Sequence, residues 1–563
     1  MFLSLIAIKK CYHDVFQSKI TNLTNIEVGP QTQAIGKKEI NIHFDLSSVM
    51  SNSDNQMCEH EDQVVRWSLA NDMYICTSKD IITEEQKLAL QQTFNEVKSL
   101  VNSFLLVEPL NQPISPAKIL DFPINESLLV DTDLFISVYV RKLQHVYDTN
   151  MGSVFQVLYK GRPVQGVIFI DPQAIPSKYQ SLNMPNREFF LEILHQVFHI
   201  LGISKNLVNY WIDNATNTQY KQSPIQKLHY NKYNKDYFVV DTPSTRKFMD
   251  NRFGNKPIEN INGIELDLTG NDYTSHTSGI VYFSDIMNTV SMPSKVISDA
   301  TKSILMSTGF YQLSDSKFNF EKINWGNGTT VGKKKRLDFP FESPQKTYPA
   351  NYFCKNDQKG EICSYDYKGR SECAGDTTPS CYHSSLADYC SEINYSNPNN
   401  LNLISFYKEF EYQNVKIPKG QLCSNSESKT DKSISRKEEF GENSFCAEGN
   451  DGTSFAGCYK MFCDEYGTLF IKIGRVPRIC YSGKKIKFGN TEILCPPSES
   501  ICSISPVDNR YSKLLILVAI YMIFLLTIIV SMIILCLYCR HLKTTDGDTP
   551  ADRTVDIPLV ISI

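Results

Sequence analysis

Leu194-His195-Gln196-Val197-Phe198-His199-Ile200-Leu201-Gly202 is the stretch on which the reading of this chain turns. It closes a helical pattern from Pro185 to Leu201, entered through Asn183, Pro185 and Asn186. Positions i and i+4 share one helix face, so the imidazoles of His195 and His199 can reach one ion. Gly202 lets the helix end and the chain turn, so that a third ligand can arrive from elsewhere. Alone, H-x-x-x-H is a weak signal, because two histidines on a half-buried helix are more often structural. The metal-hydrolase form of the motif needs Glu at its second position, and this chain has Gln196 there.

Outward from this helix the pattern is mixed. Thr83 to Phe104 reads as a helix, opened by Thr83-Glu84-Glu85, with Leu88, Leu90, Phe94, Val97, Leu100 and Val101 at helical spacing. Leu134 to Val140 and Val164 to Ile170 read as strands, and Lys295 to Thr308 as a further helix. Residues 11 to about 63 are polar and weakly periodic. The class expected is α+β. The sequence shows no phosphate-binding glycine loop and no G-x-S-x-G elbow. Lys333-Lys334-Lys335-Arg336 reads as a surface loop, and the polar Ser424–Asn443 insertion as a solvated one.

The chain has 563 residues, enough for several domains. Lys plus Arg is 57 and Asp plus Glu is 61, a balance that argues against a nucleic-acid partner. Of 17 cysteines, twelve crowd into Cys354–Cys502. That density reads as a disulfide framework, which needs an oxidising compartment. Leu514 to Tyr538 carries no charge and as a helix would be about 37 Å long, enough to cross a bilayer with some tilt. Arg540, His541 and Lys543 follow at once and place the C-terminus in the cytoplasm. Met1 to Ile8 is apolar and reads as a short signal sequence. Sequons at Asn22, Asn125, Asn214, Asn327 and Asn394 agree with export. With Cys536 and Cys539 set aside, the exported cysteines are odd in number, so at least one is unpaired or pairs between molecules.

Several stretches, in order, carry a resemblance. They are Gly166–Ile175, Asn186–Phe190, Leu194–Ser204, Thr242-Pro243, Phe253-Gly254, Asn262–Asp267, Ser275-His276, Asp285-Ile286-Met287 and Ser298–Tyr311. Asp451-Gly452, Gly457-Cys458-Tyr459 and Cys463 follow, and Cys11-Tyr12-His13-Asp14 precedes them. Together, over roughly residues 11 to 500, the chain resembles the leishmanolysin family of membrane-associated zinc metallopeptidases. The resemblance implies a metzincin-type catalytic domain with a zinc-binding helix and a Met-turn. It implies His195, His199 and His276 as ligands of one Zn2+, Met287 as the Met-turn residue, and Cys11 as the latency cysteine. Read from the residues alone, Cys11 could instead pair with Cys58 or Cys76. The organisation expected is a signal sequence at 1–10, a pro-region at 11–63, and catalytic subdomains at 64–204 and 205–343. A cysteine-rich domain at 344–505, a transmembrane helix at 514–538 and a cytoplasmic tail at 539–563 complete it.

Three departures from the family pattern matter. Thr277 and Ser278 stand where Trp and Glu usually follow the third histidine, and Asn255 stands where a cysteine follows Phe-Gly. The third departure is Gln196, whose amide cannot accept a proton from a zinc-bound water. Glu192 is the nearest carboxylate; it reads as a helix-surface residue or as a partner to an imidazole N–H, one turn from where the base must sit. The function expected is a cell-surface, single-pass zinc metalloendopeptidase acting on proteins or peptides and impaired by Gln196. The alternative is a catalytically dead zinc-binding surface protein for adhesion or peptide binding. A third reading, a Cys-rich surface protein with no metal, is opposed by the three histidines and Met287.

Overall fold

The computed structural model describes residues 11–26, 36–67, 72–110, 112–124, 128–143, 149–182, 187–230, 235–253, 263–269, 271–279, 281–282, 284–289, 295–314, 318, 320–321, 359–374, 421–424, 429–441, 443–474, 476–502 and 510–545. Asn183, Pro185, Asn186, Asn255, the Lys333–Arg336 run and the sequons at Asn125, Asn327 and Asn394 lie outside them, as do residues 1–10.

Helices and strands are mixed along the chain. A five-stranded sheet runs in the order Thr24–Asn25, Met151–Tyr159, Arg162–Ile170, Leu134–Val140, Ile42–Asp45. Ile42–Asp45 and Leu134–Val140 pair in parallel, as do Leu134–Val140 and Arg162–Ile170, while Met151–Tyr159 is antiparallel to Arg162–Ile170 and parallel to Thr24–Asn25. Every residue of Leu134–Val140 and Arg162–Ile170 is buried, because both faces of the sheet are covered. Alternate side chains go to opposite layers. Ile136, Val138, Ile168 and Ile170 join the core under the helices, while Tyr139, Val167 and Phe169 pack on the far side with Phe16, Trp67 and Phe122.

The helix Glu84–Phe104 is set by Thr83, whose side chain accepts from the Gln86 N–H while the Gln86 side chain accepts from the Thr83 N–H. Leu90, Phe94, Val97 and Val101 bury its inner face. The helix Glu188–Ile200 lies on the same layer and is the shorter, observed form of the expected 185–201 element. Gly166 makes its close approach possible, since a Cβ there would stand 2.8 Å from the Ile200 side chain.

The polarity of residues 11–63 conceals core residues. Ile40, Ile42, Val49 and Met57 belong to the same hydrophobic cluster as the two helices, so packing does not break at the expected boundary of residue 63. The expected helix from Lys295 starts only at Asp299: the Ser298 hydroxyl accepts from the Ala300 and Thr301 N–H groups and caps it, and Lys295 points inward before it.

Toward the C-terminus, Ser444–Asn450, Ser454–Cys463, Leu469–Ile473, Val476–Ile479, Lys485–Phe488 and Thr491–Leu494 form a six-stranded antiparallel sheet with its own hydrophobic cluster. Five disulfides are present among the described residues: Cys58–Cys76, Cys363–Cys446, Cys423–Cys458, Cys463–Cys502 and Cys480–Cys495. The helix Arg510–Thr545 contains the expected 514–538 span; its Ile520–Leu537 window has a mean hydropathy of 2.9 and is wholly unburied, as a membrane anchor would be.

Candidate metal centre

The helix Glu188–Ile200 directs His195 and His199 to one point. Their Nε2 atoms are 3.0 Å apart and both rings are buried. The Nδ1 of His195 lies 2.6 Å from the Ile286 carbonyl, and the Nδ1 of His199 2.7 Å from the Ile203 carbonyl. A carbonyl only accepts, so each ring carries its proton on Nδ1 and presents a lone pair at Nε2. Gly202, at φ +122°, turns the chain so that the Ile203 N–H reaches the Phe198 carbonyl and the Ile203 carbonyl comes back beneath His199. The sequence role expected of Gly202 is therefore seen, with the addition that the turn supplies the acceptor that orients the second histidine.

His276 arrives on the strand Asp272–Thr277, the second arm of a hairpin with Ile264–Thr269. Its ring centroid lies 5.3 Å from that of His195 and 4.9 Å from that of His199. Met287 is fully buried, and its carbonyl accepts from the Thr277 N–H at 3.1 Å. Asp285 ties these pieces together. It accepts from the Thr277 hydroxyl at 3.0 Å, the Thr301 hydroxyl at 2.7 Å, the Met287 N–H at 2.8 Å and the Ser298 hydroxyl. Thr277, one of the departures noted above, thus links the His276 strand to the 285–287 turn.

Cys11 completes the cluster. Its Sγ is 3.5 Å from the Nε2 of His199, and the Gln196 Nε2 donates to it at 3.4 Å. One ligand atom from each of Cys11, His195, His199 and His276 lies within 4.8 Å of the others. Cys11 is a free thiol, because Cys58 pairs with Cys76. Against this geometry, the family model for leishmanolysin matches residues 9–508. The chain belongs to the leishmanolysin family. No match was found among curated individual proteins.

The leishmanolysin family is zinc-dependent, and the residues present suit such a metal. Two nitrogens about 2.0–2.1 Å from a tetrahedral zinc stand roughly 3.3 Å apart, and a nitrogen and a thiolate about 3.6 Å apart; the structure has 3.0 and 3.5 Å. Two lone pairs facing each other at the shorter distance repel unless a cation draws both. His276 adds a second sign: both of its ring nitrogens are buried without a hydrogen-bond partner. Burial holds His195 and His199 well below the usual histidine range and lowers His276 as well, so all three are neutral, the form that binds metals. Burial pushes the metal-free Cys11 thiol up to about 12, opposed by the His13 N–H and the Gln196 amide.

Two polar residues at the site escape sequence reading. Ser153, on the strand Met151–Tyr159, donates its hydroxyl to the Gln196 Oε1 at 2.7 Å. Lys295 is buried, is pushed by burial down to about 8, and donates to the carbonyls of Ile286 at 3.2 Å and Asn288 at 2.5 Å. Its Ile286 partner is the carbonyl that orients His195. Neither residue lies in a motif, so only the tertiary fold reveals it. Glu192 meets the Asn150 Nδ2 at 3.3 Å, whereas the Nδ1 atoms of His195 and His199 go to main-chain carbonyls. His13 and Asp14, quoted above only as part of the Cys11 motif, are in contact with the centre. The His13 ring stacks on His199 at 4.0 Å, and Asp14 accepts from the Ser275 N–H at 2.9 Å and from its hydroxyl.

Proposed function

We propose that this leishmanolysin-family protein is a membrane-anchored, cell-surface zinc endopeptidase of the metzincin type, acting on proteins or peptides and impaired by Gln196. In this reading residues 64–204 and 205–343 are the two catalytic subdomains, 344–505 the cysteine-rich domain, 514–538 the membrane span and 539–563 the tail. The observation that carries it is the convergence on one point of three buried, neutral imidazoles, two oriented by main-chain carbonyls and the third without a hydrogen bond to its ring.

His195, His199 and His276 would hold the zinc, with Met287 beneath them. When bound, zinc supplies a Lewis acid that polarises a scissile carbonyl and lowers the pKa of a water to near 7. The chain's own share of hydrolysis is proton transfer. A carboxylate at position 196 would take a proton from the attacking water and pass it to the leaving amine. The Gln196 amide has no basic lone pair to do this, a loss of about 10²–10⁴-fold for such groups. Its Oε1 is also engaged by the Ser153 hydroxyl. Glu192 sits one helical turn earlier, against Asn150, and does not replace it.

The test is metal stoichiometry on the full-length protein in detergent. Elemental analysis should give one zinc per folded molecule, and His276→Ala in a chain that also carries Cys11→Ala should lower occupancy strongly, because two imidazoles rarely hold zinc alone. Well under one zinc in the natural protein would overturn the reading.

A further inference from the structure

The residues around Gln196 form a directed chain of hydrogen bonds. The Ser204 hydroxyl lies 3.0 Å from the His13 Nε2, and the His13 Nδ1 lies 3.0 Å from the Ser153 carbonyl and 3.2 Å from its hydroxyl. The carbonyl only accepts, so Nδ1 carries the proton and Nε2 receives the Ser204 hydroxyl hydrogen. The Ser153 hydroxyl, accepting from His13, donates to the Gln196 Oε1. That fixes which end of the amide is oxygen, and the Nε2 end faces the Cys11 sulfur. His13 and Cys11 both belong to the N-terminal segment, so the network leaves that segment and returns to it through Gln196.

The segment is seated by more than its sulfur. Phe16 is fully buried among Trp67, Val154 and Phe169. Gly152 makes room for it, since a Cβ there would lie 2.6 Å from the Phe16 and Phe169 rings. The Gln17 amide donates to the Phe155 carbonyl at 3.0 Å and accepts the Phe155 N–H at 2.9 Å, as a neighbouring strand would. The Cys11 N–H donates to the Thr289 carbonyl at 2.9 Å.

We propose that Gln196 is a lock: its amide N–H holds the Cys11 sulfur at the three-imidazole centre, so that residues 11–26 stay seated and the four side chains make a closed metal site. The proposal rests on the zinc reading above. Closed four-ligand sites are structural, whereas catalytic ones keep a position open. With Glu at 196 the Ser153 hydroxyl would still be satisfied, but a carboxylate oxygen would replace the N–H opposite the sulfur. Two electron-rich atoms would then face each other, and the segment would be held less firmly. The same substitution that removes the proton acceptor therefore strengthens the plug. On binding, the thiol would give up its proton to solvent, the sulfur–metal bond would form, and the water otherwise held in the open position would be released.

The experiment measures two quantities on full-length protein in detergent: zinc per molecule, and the rate at which iodoacetamide modifies Cys11, read by peptide mass spectrometry. Peptide mapping of the natural protein should also find residues 11–26 retained. Cys11 should react slowly in the natural protein and about tenfold faster or more in Gln196→Glu at unchanged zinc content, the weight of one buried hydrogen bond. Gln196→Met, similar in length and lacking the N–H, should move the rate the same way and decides the matter if the Glu variant misfolds. Equal rates with zinc in place would overturn the lock and leave the zinc reading standing. Absence of residues 11–26 from the natural protein would also overturn it. Fast modification with well under one zinc would overturn both.

Discussion

Replacing Gln196 by Glu in a chain that also carries Cys11→Ala should create a working peptidase. The second substitution is needed because the sulfur lies 3.5 Å from the His199 Nε2, where a substrate carbonyl must come. Gln196→Glu keeps side-chain shape, and the Ser153 hydroxyl still has an oxygen to donate to. Supplying a general base is worth about 10²–10⁴-fold. The low end applies here, because a hydroxyl bound to the carboxylate stabilises its charged form and makes it a weaker base. The expected gain in kcat/KM is therefore about 10²-fold over Cys11→Ala alone, or about 2.7 kcal/mol of barrier at 1.36 kcal/mol per decade. The assay is hydrolysis of a fluorogenic peptide mixture by full-length protein, with zinc content measured beside it. A zinc-loaded double variant that stays inert would refute the reasoning, and Thr277 and Ser278 would become the residues to examine. So would Cys11→Ala alone cleaving at ordinary metallopeptidase rates, which would mean that another group is the base.

Asp54→Asn should destabilise the fold by about 3 kcal/mol, because Arg141 is buried with Asp54 as its bidentate partner at 2.8 and 3.0 Å and, among the described residues, keeps Asp121 as its remaining carboxylate; an unchanged melting temperature would count against it. Stability should fall as pH drops below about 6.5. His13, His195, His199 and His276 are all lowered by burial, so the unfolded chain takes up protons that the folded one refuses, at about 1.4 kcal/mol per pH unit for each group. Denaturant midpoints at pH 7.5, 6.5 and 5.5 test the sign, and a midpoint that holds or rises on acidification contradicts it. Protease shaving of intact cells should remove the Cys354–Cys502 region and leave the C-terminal tail, and the opposite pattern would reverse the membrane orientation.

Local signals were readable where they are complete within one turn or one face. The Thr83-Glu84-Glu85 start and the spacing of Leu90, Phe94, Val97 and Val101 suffice for the helix Glu84–Phe104, although Leu88, in the same expected stripe, is exposed. His195 and His199 could be paired from spacing alone. His276 could not, because it stands on a hairpin strand whose approach to the helix is purely tertiary; it was reached through family likeness. Ser153 and Gln196 are 43 residues apart, and nothing local marks a serine in an apolar strand as a partner of a helix amide. The N-terminal part misleads because Ile42–Asp45 is a four-residue edge strand, too short to show a period among polar neighbours. The apolar spacing continues back to Lys295, but the helix begins where Ser298 caps it.

The contact between Asp14 and Ser275 joins positions 261 residues apart, and that separation sets a clock on biosynthesis. At about 5–20 residues per second, roughly 13–52 s pass between the emergence of one partner and of the other. On the exported reading proposed above, Cys11 would spend that interval as a thiol in an oxidising lumen, beside two other thiols and without the strand that bears His276. Cys58 and Cys76 are separated by only 18 residues. Closing that short ring costs less chain entropy than linking either of them to Cys11. Early closure would remove both competitors before the strand bearing His276 has been made, so the nearest-neighbour bridge would act as a guard that keeps Cys11 reduced until that strand arrives.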